Sequence, residues 1–304
     1  MEFEVGIGTG VTDDPEQAVT EATTGFPAEF ESEYTVGLNF HDGLAGRGDE
    51  LTLLAYQEYP IPYAGGAASD SYQLESTAVF ANDTIATDAI AIGVIGNDTG
   101  FGIAAEHGHQ KLSEGHRGTA ASGSSVETLS QRPAYEVWKD AVRDHAAENL
   151  GVDVDAIQPG DGDFARLLTI YSFGIETGDG EYKVRPGALT QNVDDGSLQF
   201  ATAIPEGTEL FVMTSTKDNQ RQAQQSAVES AIGNLDEPPV GGLNFSCTCQ
   251  ADILQDEFSG GIKSASDPLG KPLAGTQMYG EVALEEGDMR GYHNATSSVL
   301  IIPE

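Results

Sequence analysis

The chain has 304 residues and carries 49 acidic against 14 basic side chains, a formal net charge of −35 at pH 7. The acidic residues are spread from end to end and the basic ones are not clustered, so the composition argues against binding to nucleic acid or to an anionic membrane. Such a uniformly acidic surface is typical of a halophilic protein in a saline cytoplasm, where molar salt shortens the screening length to about 3 Å.

The opening segment MEFEVGIG contains no basic region of the kind that begins a signal peptide. No apolar run approaches the roughly 20 residues that a membrane-spanning helix needs. Two cysteines, Cys247 and Cys249, are too few for a disulfide framework, and a reducing compartment keeps them as thiols. We therefore expect a cytoplasmic protein without disulfides.

Short apolar runs bounded by Gly, Asp or Asn predict most of the strands. These runs lie at residues 35–41, 50–56, 89–96, 167–173, 208–214, 240–246 and 298–303. Three helices are predicted between them: residues 14–22 with Pro15 in the first turn, residues 133–151, and a helix that begins at Asp218. This mixture predicts an α/β (α+β) fold in which helices flank stacked sheets.

Three short motifs recur in the same order in the two halves of the chain. The pairs are GLNFHDG (37–43) with GLNFSCT (242–248), PYAGGAA (62–68) with PLAGTQM (272–278), and VFANDT (79–84) with GYHNAT (291–296). Because the three matches keep their order at a nearly constant offset, we predict that the chain is built from two related halves. Where the second half carries Cys247, the first half is predicted to carry His41.

Six longer segments show a resemblance to a known family. They are YPIPYAGGAASDSYQLESTAVFANDTIATDAIAIGVIG in the first half and RPAYEVWKD, AIPEGTELFVM, GGLNFSCTC, PLAGTQMYGEV and YHNATSSVLIIPE in the second. Together they resemble FIST proteins, a family of intracellular sensors. The resemblance covers nearly the whole chain and places a FIST N-like domain, shorter than is usual, at residues 1–132 and a FIST C-like domain at residues 133–304.

The resemblance implies signal transduction rather than catalysis. FIST domains are regarded as binding small ligands, with amino acids as candidates, and they occur alone or joined to kinase, cyclic-nucleotide and chemotaxis modules. We therefore expect a stand-alone sensor that binds a small molecule, uses no cofactor, and reports to a downstream signalling protein such as a kinase or a chemotaxis component.

The candidate ligand site combines the repeated strand end NFSC with the glycine-containing turns, where small residues let the backbone approach a ligand. The predicted ligand-binding residues are Gly65, Gly66, Asp70, Asn244, Ser246, Cys247, Gly275, Thr276, Tyr279, Glu281 and Asn294. In this hypothesis Glu281 or Asp70 faces the ammonium group of an amino acid, and backbone N–H groups of the turns face its carboxylate. For Asn294 the preferred alternative is that its side chain fixes its own turn.

Three other interpretations remain open. Cys247, with His293 as its base, could be the nucleophile of a thiol-dependent hydrolase or transferase if its pKa were lowered, although a small residue lining a pocket is the preferred interpretation. The cysteines could share a metal with His107, His109 and His116, but their spacing is not that of a typical zinc site, and we predict no metal. The third alternative is a scaffolding protein without a ligand.

Overall fold

The structure, a computed structural model, describes residues 2–70, 72–159, 162–178, 180–188, 191, 193, 195–285 and 291–304. The chain folds into two compact units. The first unit contains residues 1–107, 221–251 and 256–304, and the second contains residues 108–220 and 252–255. These units are not the two domains predicted from the sequence, and the predicted domain boundary between residues 132 and 133 stays a prediction.

Helices and sheets are mixed along the chain, which confirms the predicted α+β class. The helices are α1 (Pro15–Thr23), α2 (Gly48–Glu58), α3 (Ala134–Leu150), α4 (Gly162–Ile170), α5 (Lys217–Gly233), α6 (Thr248–Leu254) and α7 (Phe258–Leu269). The strands are β1 (Glu2–Thr9), β2 (Tyr34–His41), β3 (Tyr63–Ala67), β4 (Val79–Ala81), β5 (Thr84–Ala86), β6 (Ala89–Asn97), β7 (Gly102–His107), β8 (His109–Ser122), β9 (Ser125–Leu129), β10 (Arg132–Pro133), β11 (Phe173–Gly178), β12 (Glu181–Arg185), β13 (Leu198–Gln199), β14 (Glu209–Ser215), β15 (Pro239–Cys247), β16 (Leu273–Met278), β17 (Gly280–Leu284), β18 (Tyr292–His293) and β19 (Thr296–Pro303).

Two of the predicted strands are wrong, because the chain is helical there. Residues 50–56 lie in α2, where Leu51, Thr52 and Ala55 are buried at a spacing that places them on one helix face. Residues 167–170 complete α4, and the strand begins only at Phe173. Both segments are apolar runs of seven residues, and runs of that length fit a buried strand and a buried helix segment equally well.

The first unit is built in four layers. Its six-stranded sheet has the order β1-β6-β2-β3-β17-β18, and its four-stranded sheet has the order β16-β15-β19-β7. Helices α1 and α2 pack on the outer face of the six-stranded sheet through a core that includes Val19 and Leu51. Helices α5 and α7 cover the outer face of the four-stranded sheet. Apolar side chains such as Phe245 and Leu300 fill the space between the sheets, so the predicted stacked sheets flanked by helices are confirmed.

The two repeated motifs adopt the same local arrangement in these sheets. Strands β2 and β3 are parallel with Asn39 opposite Gly65, and β15 and β16 are parallel with Asn244 opposite Gly275. A Cβ atom at Gly65 or Gly275 would lie 2.1 or 2.3 Å from the carbonyl oxygen of the facing Asn, so each position requires glycine. The common origin of the two segments stays a prediction.

The register of the strands corrects the predicted equivalence of His41 and Cys247. His41 pairs with Ala67, and the corresponding pair in the other sheet is Ser246 with Gln277. His41 therefore corresponds to Ser246, one residue before Cys247.

The two parallel pairs differ in what lies beside them. Strand β3 is flanked by β17 and is buried along its whole length. Strand β16, in contrast, is the edge of its sheet, and residues 274–276 are exposed. The helix-covered face of the four-stranded sheet is therefore open at one side.

The second unit has its own sheet and core. Its strands have the order β10-β9-β8-β14-β11-β12, with β13 paired to β9. Helix α3 starts after Pro133 and ends at Gly151, whose φ of 67° is the left-handed conformation typical of a glycine C-cap, as predicted. Trp138 of α3 is buried and donates its indole N–H to the carbonyl of Tyr171 over 2.9 Å.

In the part of the chain that the structure describes, none of the helices combines the length and the hydropathy that crossing a membrane requires.

Candidate functional site

The predicted ligand-binding residues all lie in the first unit, but the structure places them in four different settings. Asn244, Ser246, Gly275 and Thr276 line a pocket beneath α5 and α7. Cys247 and Glu281 are buried, and Asp70 and Tyr279 anchor a loop. The remaining three, Gly65, Gly66 and Asn294, lie in strands or a turn. The structure therefore separates the polar anchors from the strand end with which they were grouped.

The pocket on the helix-covered face of the four-stranded sheet has a volume of about 170 Å³. Strand alternation directs Asn244 and Ser246 of β15 toward the helices, together with their register partners Gly275 and Gln277 of β16. Gln224 of α5 lines the pocket on the side of the helices. We call this set, with the apolar wall of Phe258, Ile262 and Leu273, the amide pocket.

Hydrogen bonds hold the polar side chains of the amide pocket in place. The Oε1 atom of Gln250 accepts from Nε2 of Gln224 over 2.9 Å and from Oγ of Ser246 over 2.5 Å. The Oδ1 atom of Asn244 accepts from Oγ of Ser297 over 2.9 Å. These bonds fix the amide groups before any ligand arrives, which reduces the entropic cost of binding.

Among the described residues that line the pocket, two side-chain atoms are buried without a hydrogen-bond partner. They are Oε1 of Gln224, a residue that is 1% exposed, and Nε2 of Gln277. Leaving a buried polar group unpaired costs about 1–3 kcal/mol, so native proteins rarely do so without a reason. The pocket thus offers one unused acceptor and one unused donor.

Charged side chains are absent from the described residues that line the amide pocket. An ion pair between Arg221 of α5 and Glu257, the residue before α7, links the two helices next to the pocket. Because both partners are partly exposed, this pair is expected to contribute little to stability. The pocket itself is suited to a ligand without net charge.

Cys247 and Glu281 are neighbours in the space between the two sheets, where they are 1% and 0% exposed. Oε2 of Glu281 accepts the backbone N–H of Thr296 over 3.2 Å. Burial raises the pKa of the Glu281 carboxyl and of the Cys247 thiol well above their ordinary values, and their proximity adds to the rise for Glu281. A neutral thiol is a poor nucleophile, and a neutral carboxylic acid does not supply the negative charge proposed for an ammonium group.

Asp70 and Tyr279 hold the loop that follows β3. The Tyr279 hydroxyl donates to Asp70 over 2.5 Å, and the same carboxylate accepts the backbone N–H groups of residues 74–76. The hydrogen bond from Tyr279 is the main reason that the pKa of Asp70 is well below its usual range. Burial, with a contribution from Asp70, raises the pKa of Tyr279 to about 12. The Asp70 carboxylate is thus largely satisfied by the protein itself.

The glycines of the first motif serve strand packing. Gly65 has a φ of 140° and lies against the carbonyl of Asn39, and a Cβ atom at Gly66 would lie 2.5 Å from the carbonyl oxygen of Gly280. Asn294 is 1% exposed and its Nδ2 donates to the carbonyl of Tyr279 over 3.4 Å. In the structure these residues take part in close backbone packing and in a hydrogen bond to the backbone. Their role in ligand binding stays a prediction.

Three glutamines were not predicted from the sequence: Gln224 and Gln277, which line the pocket, and Gln250, which is hydrogen-bonded to Gln224 and Ser246. A signal existed for Gln224, because it lies four residues before Val228 and seven before Ala231, on the buried stripe of α5. A glutamine in an apolar stripe predicts a buried amide with a specific partner. Gln277 lies in the recurring motif PLAGTQM, two residues after the predicted Gly275, whereas no comparable local pattern marks Gln250.

The histidines that were considered as metal ligands contribute to strands. Nε2 of His109 contacts the carbonyl oxygen of Thr169 at 2.9 Å, and His116 lies in β8 opposite Leu210. Within the described ranges, no group of three or more His, Cys, Asp or Glu side chains is arranged to hold a metal ion.

Comparison with known protein families agrees with the resemblance seen in the sequence. The family model of the FIST N domain matches residues 1–132, and that of the FIST C domain matches residues 134–284. The chain belongs to the FIST family. FIST domains are small-ligand sensor domains of signalling proteins, so the amide pocket lies in a protein whose family is one of sensors.

This FIST protein is also similar to an uncharacterised protein of Methanocaldococcus jannaschii. The two are 24% identical over 187 residues, which cover 61% of this chain and 35% of the relative. The matched part therefore spans about a third of the length of that curated relative.

Proposed function

We propose that this FIST protein is an intracellular sensor that binds an amino acid with an uncharged side chain in the amide pocket. The observation that carries the proposal is the unpaired Oε1 atom of Gln224, which is buried and lines the pocket. A zwitterionic ligand would satisfy the unused polar atoms without bringing net charge into the pocket. It would also approach a chain of charge −35 without net repulsion.

Each part of such a ligand has a counterpart in the pocket. The ammonium group would donate to Oε1 of Gln224, and the carboxylate would accept from Nε2 of Gln277. Phe258, Ile262 and Leu273 would contact an apolar side chain. The volume of 170 Å³ lies below the range of about 300–1,000 Å³ that is usual for drug-sized ligands, which favours a compact molecule.

The sensor would report to a separate signalling protein, such as a kinase or a chemotaxis component. FIST domains act in signalling proteins, and the amide pocket supplies a binding event that such a partner could read out. The catalytic alternative receives no comparable support, since burial keeps the Cys247 thiol protonated.

A thermal-shift screen of the twenty amino acids in concentrated KCl tests the proposal. Amino acids with uncharged side chains should raise the unfolding midpoint, and a ligand at about one hundred times its dissociation constant adds about 2.7 kcal/mol to the free energy of unfolding. Aspartate, glutamate, lysine and arginine should leave the midpoint unchanged. The proposal fails if none of the uncharged amino acids stabilises the protein.

A further inference from the structure

A second cavity lies between the two sheets of the first unit, on the opposite face of β16 from the amide pocket. It has a volume of about 430 Å³. Its walls come from β1, β2 and β6 of one sheet and from β15 and β16 of the other, where Phe3, Phe40, Phe245 and Met278 line it. We call it the inter-sheet cavity.

The lining of the inter-sheet cavity is predominantly apolar. The described lining residues include no charged side chain, and their polar side chains are the hydroxyls of Ser69 and Thr276 and the amide of Gln277. The Ser69 hydroxyl already donates to the carbonyl of Gln277 over 2.9 Å. Cavities with an apolar lining bind apolar molecules. The volume of the inter-sheet cavity lies within the range of about 300–1,000 Å³ that is usual for the binding sites of drug-sized ligands.

The mouth of the cavity carries aromatic side chains that are exposed to solvent. Phe80 of the β4–β5 hairpin is 74% exposed and Phe3 of the edge strand β1 is 58% exposed, and both line the cavity. Large exposed aromatic side chains beside an apolar cavity mark binding sites in soluble proteins. A ligand in the cavity would remove both side chains from water.

Charge around the cavity restricts the class of ligand. Glu2 and Glu4 alternate with Phe3 on β1, and the chain carries a net charge of −35. An anionic amphiphile would meet repulsion at this mouth and would find no cationic side chain among the described lining residues. An uncharged apolar molecule meets neither obstacle.

We propose that the inter-sheet cavity is a second ligand site, distinct from the amide pocket, that takes a small uncharged apolar molecule. Its binding would rest on burial of apolar surface between the sheets, with Phe80 and Phe3 closing over the ligand. Thr276 and Gln277 of β16 line both the inter-sheet cavity and the amide pocket. Gly93 and Phe80 line the inter-sheet cavity alone, so substitutions at these two residues test this proposal separately from amino-acid binding.

Titration with N-phenyl-1-naphthylamine, an uncharged apolar fluorophore, tests the proposal. The wild type should give a saturable rise in fluorescence at one probe per chain. Gly93→Leu should abolish it, since Gly93 lines the cavity and a Cβ atom there meets nothing closer than 3.6 Å, so the added side chain fits the backbone and fills the space. No saturable binding by the wild type, or equal binding by a folded Gly93→Leu variant, would overturn the proposal.

A matched pair of hairpin variants keeps the test decisive if Gly93→Leu does not fold. Phe80 and Ile85 face each other across the β4–β5 hairpin and are similarly exposed, but only Phe80 is among the described lining residues. Phe80→Ser should weaken probe binding about tenfold, and Ile85→Ser should leave it unchanged. Equal effects of the two substitutions would contradict the assignment. If the wild type forms a dimer whose interface covers the cavity and excludes the probe, that result would contradict it as well.

Discussion

At the scale of single residues, the neighbouring side chains of Glu281 and Cys247 show how position decides chemistry. Both lie between two sheets, and burial raises the pKa of both groups. The carboxyl that was predicted to face an ammonium group is therefore held neutral, and the thiol that was considered as an alternative nucleophile is held protonated. The amides of Gln224 and Gln277, which have no titratable proton, are the groups left to meet a ligand.

Substitution Glu281→Gln should change how stability depends on pH. In the unfolded chain Glu281 loses its proton near its ordinary pKa of about 4.3, whereas in the native state the carboxyl keeps its proton above that pH because its pKa is raised. The unfolded state then binds fewer protons, so this residue lowers the free energy of unfolding by about 1.4 kcal/mol per pH unit as the pH rises toward the native pKa. The Gln variant should therefore gain stability relative to the wild type between pH 5 and 7.

Denaturant unfolding at several pH values measures this difference. Glu285→Gln is the matched control, since Glu285 is exposed just after the same strand. It should leave the pH dependence of the wild type unchanged. A constant difference between wild type and Glu281→Gln across this pH range would show that Glu281 ionises in the native protein.

At the scale of elements, the sequence predicted well those segments whose ends are marked. Helix α3 has Pro133 before it and a left-handed Gly151 after it, and both signals are local. Strand β16 was recognised only as a glycine-containing turn. Its position at a sheet edge depends on β17 pairing with β3, a contact between residues far apart in the chain. The open side of the amide pocket follows from that pairing, so the local sequence pattern could not predict it.

The loop after β3 should depend on Asp70 for its order. Asp70→Ala removes the acceptor of three successive backbone N–H groups at residues 74–76, so hydrogen exchange of those amides should become faster. Tyr279→Phe is the control that removes one hydroxyl and keeps the carboxylate, and its effect on the same amides should be smaller. Unchanged exchange in Asp70→Ala would mean that the loop is held by other contacts.

At the scale of the whole molecule, the dominant property is the net charge of −35, which the composition gives directly. The strand-end residues Asn244, Ser246 and Gly275 were found because their motif recurs in the chain. The glutamines that complete the pocket were missed because burial of a glutamine depends on which layers pack together. The sequence pattern therefore predicted the layers of the fold and part of one wall of the amide pocket. The remainder of the pocket is formed by tertiary packing between those layers.

Salt should stabilise the protein strongly. Self-repulsion among the acidic side chains is screened as the Debye length falls from about 10 Å at 0.1 M to about 3 Å at 1 M salt. The unfolding midpoint should therefore rise steeply with KCl up to about 1 M. Calorimetric scans across this range measure it, and a midpoint that is unchanged or falls would contradict adaptation to a saline cytoplasm.

Calorimetric titration in concentrated KCl, with the amino acid that gives the largest thermal shift, tests the amide pocket most directly. Gln224→Leu removes the buried acceptor at similar size, and Gln222→Leu makes the same change at an exposed position of α5. The wild type and Gln222→Leu should bind one ligand per chain with equal affinity, and Gln224→Leu should bind about tenfold more weakly or not at all. Equal affinity of the two variants would contradict binding in the amide pocket.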